Sequence, residues 1–73
     1  MELKTVISSR IAKVGYSAGD HELVLEFKKG RKYKYYPVPI VMYELLMSAE
    51  SLGKFFELNI KNNKTISHEK LDD

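Results

Sequence analysis

The segment from Glu22 to Tyr36, "ELVLEFKKGRKYKYY", constrains the fold more than any other part of this 73-residue chain. Leu23, Leu25 and Phe27 recur at period two and alternate with Glu22, Val24 and Glu26, the pattern of a half-buried strand. A two-residue hairpin at Lys29 and Gly30 would set Phe27 against Lys32 and Leu25 against Lys34, and apolar and charged faces would collide along the ladder. A type I turn with Gly30 in the left-handed region, forming a G1 bulge, shifts the pairing by one residue. Phe27 then faces Arg31, Leu25 faces Tyr33, and Leu23 faces Tyr35. On the other side Glu26 faces Lys32, Val24 faces Lys34, and Glu22 faces Tyr36. Residues opposite one another on a ladder have Cβ atoms about 4.5–5.5 Å apart, so Glu22 and Glu26 balance Lys32 and Lys34 on the outer face.

The flanking sequence adds a strand before this hairpin and helices after it. "RIAKVGYS" reads as the first strand, with Ala12, Val14 and Tyr16 on one face, Ile11 on the other, and a bulge at Gly15. "SAGD" is turn chemistry. Pro39 fits the first turn of a helix, where a missing N–H costs nothing. Ile40, Val41, Tyr43, Leu45, Leu46 and Met47 make that helix apolar around most of its girth, which predicts a short, buried element. Ser48 or Ser51 can cap a second helix whose Leu52, Phe55, Phe56 and Ile60 fall on one stripe, with Gly53 allowing a close approach. From Asn62 onward apolar periodicity is lost. The expected organisation is one α+β domain over residues 1–61, an antiparallel three-stranded β-meander followed by two short α-helices packed on one face. Residues 62–73 are expected to be a polar, disordered tail.

A core this small leaves a thin stability margin, and chains below about 80 residues often add disulfides, a metal or a partner. The chain has no cysteine, which removes disulfides and thiolate zinc sites. No apolar run approaches the roughly 20 residues of a membrane span, and the N-terminus lacks a signal-peptide layout, so a soluble cytoplasmic protein is expected.

The segments "VISSRIAKVGYS", "LEFKKGRKYKYYPVP" and "AESLGKFFELNIK", in this order, resemble the KTSC domain. That family takes its name from the C-terminus of some lysyl-tRNA synthetases and also occurs as small stand-alone bacterial and phage proteins. The resemblance spans about residues 6–61 and is carried by Ser8, Ser9, Gly15, Tyr16, Phe27, Gly30, Tyr33, Tyr35, Val38, Pro39, Ala49, Ser51, Gly53, Phe55, Phe56 and Ile60. Glu57 departs from the asparagine usual there, and a polar tail replaces the usual aromatic-containing end. The resemblance implies no established activity, and its suggestion of an RNA-related role rests on association with the synthetase.

The residues themselves point to an interaction module. Lys28, Lys29 and Arg31 crowd the hairpin tip, with Lys34 and Tyr36 outward on the third strand. Cations interleaved with rings can hold phosphate and stack bases of RNA or another single-stranded nucleic acid. Against this stands the ordinary use of charged tips and lysine-rich strands to keep sheets soluble. Ser9, Tyr16, Tyr43 and Ser51 are candidates for a pocket or partner surface, Ser51 and Tyr16 also having plain roles as a cap and a core ring. Five tyrosines and three phenylalanines are more rings than so thin a core needs, which suggests protein contact or self-association. His21 falls in a turn and His68 in the tail, so no positioned base, catalytic residue, metal site or cofactor is expected. The expected role is non-enzymatic binding of a protein partner or of itself, with nucleic-acid binding as the alternative.

Overall fold

The structure, a computed structural model, describes residues 2–71. Its elements are β1 (Lys4–Thr5), β2 (Ile11–Ser17), β3 (Glu22–Phe27), β4 (Lys32–Tyr36), α1 (Ile40–Ser48), α2 (Leu52–Phe56) and β5 (Ser67–Leu71). One π-helical turn, Glu57–Lys61, continues α2. The strands form a single antiparallel sheet in the order β1-β2-β3-β4-β5.

The central hairpin has the register that its alternation demands. Leu23 pairs with Tyr35, Val24 with Lys34, Leu25 with Tyr33 and Glu26 with Lys32. The Phe27 N–H donates to the Arg31 carbonyl at 2.8 Å, and the Gly30 N–H to the Phe27 carbonyl at 2.9 Å. Gly30 sits at φ +95°, a conformation that side-chain-bearing residues rarely adopt.

The α+β class holds, but five strands replace the expected three. The largest correction falls in the segment read as a tail. Ile66 enters the core, and Ser67–Leu71 pairs along β4, so β4 is an interior strand. The turn into β5 is built by Asn63, whose side-chain oxygen accepts from the Thr65 N–H at 2.9 Å and the Thr65 hydroxyl at 2.6 Å. Asp72 and Asp73, also assigned to that tail, lie outside the described residues. The short β1 adds a second unanticipated edge strand, Lys4 pairing with Val14 and Thr5 with Lys13.

In β2 the register slips between Ile11 and Lys13, not at Gly15, which pairs regularly with Val24. Ile11 therefore shares a face with Val14 instead of opposing it, and both are fully buried. They join Leu23, Leu25 and Tyr35 beneath Leu46, Leu52, Phe56 and Ile60. Ser51 caps α2, its hydroxyl accepting from the Lys54 N–H at 3.3 Å. The first helix departs from expectation, because Leu46 is its one buried residue. Ile40, Val41 and Leu45 remain 49%, 62% and 54% exposed. A nine-residue helix laid on a single layer can bury one stripe, and α1 carries apolar residues all round. No helix among the described residues is long and apolar enough to cross a membrane.

Candidate functional site

The helical layer does not cover the whole inner face of the sheet. Leu23, Leu25 and Tyr35 are buried beneath it, whereas Phe27 and Tyr33, one step closer to the hairpin tip, are half-buried. A cavity of about 460 Å³ opens over them. Phe27, Tyr33, Tyr35 and Phe56 line it together with His68 from β5. These rings form a connected cluster: Phe27 meets Tyr33 edge-on at 5.9 Å, and Tyr35 meets Phe56 edge-on at 5.1 Å. His68 lies 6.2 Å from Tyr33 and 5.9 Å from Tyr35, between ring centroids. Tyr33, Tyr35 and His68 thus make a tilted shelf across β4 and β5.

The rim is cationic. Lys28, Lys29 and Arg31 line the cavity from the hairpin side, and Arg10 and Lys61 line it from other elements. Among the described residues, no carboxylate side chain lines it. The Lys28 N–H donates to the Arg10 carbonyl at 2.9 Å, which ties the hairpin tip to the loop before β2. Ser8 shapes that loop, its hydroxyl oxygen accepting from the N–H groups of Arg10 and Ile11 at 3.3 Å each. Ser9 and the buried Gly53 complete the wall on this side. A Cβ on Gly53 would stand 3.5 Å from Ser8 Oγ, so the close approach accommodates glycine without requiring it.

The two sides of the rim differ in charge balance. Arg10 donates two hydrogen bonds to the Glu57 carboxylate, at 2.7 and 3.2 Å. These bonds, then the guanidinium charge, hold the Glu57 carboxyl below its usual range, and Lys61 lowers it further. The Arg10 guanidinium is raised by the same bonds. As pH falls through the lowered Glu57 value, the carboxylate is protonated and the pair's contribution is lost. By contrast, Lys28, Lys29 and Arg31 enter no ion pair among the described residues.

Comparison with known proteins assigns this arrangement to a family. The sequence model of the KTSC domain matches residues 7–63. The chain belongs to the KTSC domain family. It is 33% identical to a KTSC domain protein of Yersinia pestis whose crystal structure superimposes with a TM-score of 0.88, covering 97% of each chain. A protein of Tsukamurella paurometabola is 40% identical over 53 residues, 73% of this chain and 79% of that one. An uncharacterized protein of Stutzerimonas stutzeri is 37% identical over 49 residues, 67% of this chain and 69% of that one.

This KTSC domain divides the residues singled out in its sequence. Lys28, Lys29, Arg31 and Ser9 come together around the cavity. Lys34 and Tyr36 do not, since strand alternation puts them on the opposite face from Tyr33 and Tyr35. There Lys34 lies 3.6 Å from Glu22 and 3.8 Å from Glu69, with its ammonium 5.4 Å from the Tyr36 ring centre. Lys32 similarly reaches Glu26 at 3.9 Å. Tyr16 and Tyr43 stack on each other at 4.4 Å, and the Tyr16 hydroxyl donates to the Val38 carbonyl at 2.6 Å. Burial raises the Tyr16 phenol. Ser51 serves as the α2 cap. The sequence reading missed the Arg10–Glu57 pair, although Glu57 had stood out as the departure from the family's usual asparagine. It also missed His68, because a solvated edge strand has no apolar alternation to reveal it.

Tyr35 supplies a pH test of this floor. Burial, then the charge of Tyr33, pushes its phenol up to about 12, against about 10 for a free tyrosine. The folded state therefore keeps a proton that the unfolded chain gives up above about pH 10, and stability falls as pH rises toward 12. Denaturant titrations of this KTSC domain should lose about 2 kcal/mol between about pH 9 and 11.5 through this group. Tyr35→Phe should remove that part of the slope while keeping the ring; an unchanged slope would assign the loss to other groups.

Proposed function

We propose that this KTSC domain is a non-enzymatic binding module for RNA or another single-stranded nucleic acid. One observation carries the reading: a cavity floored by rings and rimmed by cations, with no carboxylate side chain among the described residues of its lining. Rings offer every base a stacking face, and unpaired cations beside them hold phosphate. The contact set differs from the outward strand face, where Lys34 is already held by two glutamates.

Retention of single-stranded RNA in low-salt gel shifts is the direct test. With Lys28, Lys29 and Arg31 each on a phosphate, log K should fall with log salt at a slope of about −2. Lys28→Ala/Lys29→Ala/Arg31→Ala should flatten that slope. All three side chains are exposed, and the tip is held by backbone hydrogen bonds that the truncations leave in place. No retention at low salt, or an unchanged slope in the variant, would sink the reading.

A second reading, a protein partner or self-association, is favoured by the exposed Ile40, Val41 and Leu45 of α1. Light scattering at high protein concentration tests the self-association form, which a strict monomer would remove.

A further inference from the structure

We infer that the cavity is a one-nucleotide site, taking a single base with its attached phosphate, in preference to a groove along which a strand runs. The inference rests on the nucleic-acid reading and follows from three features that the reading does not use. The first is size. A volume of about 460 Å³ lies in the lower part of the about 300–1,000 Å³ range of small-molecule sites, and it is bounded by the hairpin, the loop before β2, the α2 region and β5. The second is the floor. Tyr33 and His68 keep part of their rings uncovered, while Tyr35 and Phe56 behind them are buried, so the accessible shelf is short.

The third feature is the charge asymmetry of the rim. A strand crossing the cavity is best held by comparable positive charge along both sides, where its flanking phosphates run. Here the hairpin side carries Lys28, Lys29 and Arg31 without carboxylate partners among the described residues, whereas Arg10 is neutralised by Glu57 and Lys61 lies close enough to perturb the same carboxylate. The hairpin side thus carries three positive charges against a net one on the other, and phosphate is drawn to the hairpin side. A nucleotide therefore enters with its phosphate against the hairpin tip and its base over Tyr33 and His68. Free nucleotides and the end of a single strand share this chemistry.

Titrations of the folded protein followed by amide NMR distinguish these cases. The probes are adenosine 5′-monophosphate, adenosine, inorganic phosphate and an oligoadenylate of about eight nucleotides. The monophosphate should bind at least about tenfold more tightly than adenosine or phosphate alone, shifting amides of Phe27, Lys29, Tyr33, Gly53 and His68. Tyr33→Leu should weaken the monophosphate by about fivefold or more and leave the weak phosphate response unchanged. The triple hairpin variant should reduce the monophosphate to the affinity of adenosine. The oligonucleotide should gain no more than about tenfold over the monophosphate, because one unit occupies the cavity. A gain of about a hundredfold or more, or shifts centred on the outer face around Lys34, would overturn the one-nucleotide site. If the oligonucleotide binds with the expected salt slope while the monophosphate shifts nothing, this inference fails and the nucleic-acid reading stands. If neither binds, both fall.

Discussion

Phe56→Ala should cost about 3–5 kcal/mol of stability, the largest loss expected from a single side chain at the base of the cavity. The ring is 5% exposed, meets Phe27 at 5.9 Å and Tyr35 at 5.1 Å, and anchors the end of α2 against β3 and β4. Truncation removes its transfer energy and leaves a void between helix and sheet that neighbouring rings can only partly fill. A chain of this length has about 4–11 kcal/mol in all, so the variant should be substantially unfolded at elevated temperature. Thermal melts and urea titration read this directly. Phe55→Ala supplies the comparison, because Phe55 is only half-buried and should lose less. Equal losses at the two positions would mean that α2 does not pack as described.

Gly30→Val should cost about 2–3 kcal/mol for a different reason. Nothing lies within 4 Å of a Cβ placed on Gly30, so the substitution meets no steric neighbour. The cost is backbone strain, because φ +95° is outside the region that a β-branched residue tolerates. For a domain this small the melting temperature should drop by roughly 10–20 °C. Gly19 is the internal control. It too has open space around a Cβ but no positive φ. Gly19→Ala should leave stability unchanged or raise it by up to about 1 kcal/mol. Should Gly30→Val and Gly19→Ala behave alike, Gly30 would not be what holds the hairpin register. A slipped register would also rotate Phe27 and Tyr33 relative to each other, so the same variant should disturb the cavity floor.

Much of the sheet's centre was legible because its signals are local. Alternation in "ELVLEFK" fixes which residues face inward, and the clash of Phe27 with Lys32 in the competing register leaves Gly30 one conformation to adopt. Ser51 was likewise readable as a cap, since its hydroxyl needs only the N–H of Lys54 three residues on. The outer strands were not readable in this way. β5 is joined to β4 by backbone hydrogen bonds and presents Ser67, His68, Glu69 and Lys70 to solvent, so its side chains carry no apolar period. The bulge in β2 also escaped, because nothing at Ile11 or Lys13 distinguishes a slipped pairing from a regular one. The α1 stripe misled in the opposite direction, since apolar character around a helix does not guarantee enough neighbouring surface to bury it.

For the candidate site the division is similar. The hairpin cations Lys28, Lys29 and Arg31 were visible as a cluster along the chain, and Glu22 and Glu26 as partners for the strand lysines. Lys34 was still read as a contact, and only the structure sets it apart, between Glu22 and Glu69 on the opposite face. By itself the sequence determined one hairpin, its register and the sign of its tip, because those depend on neighbours a few residues apart. Only the tertiary structure decided that the tip overhangs a cavity, that Glu57 reaches back 47 positions to neutralise Arg10, and that His68 joins the floor. Those outcomes depend on where the helical layer ends above the sheet and which backbone edge remains open for pairing. Both are set by the lengths and packing of distant segments, and no single stretch of residues records them.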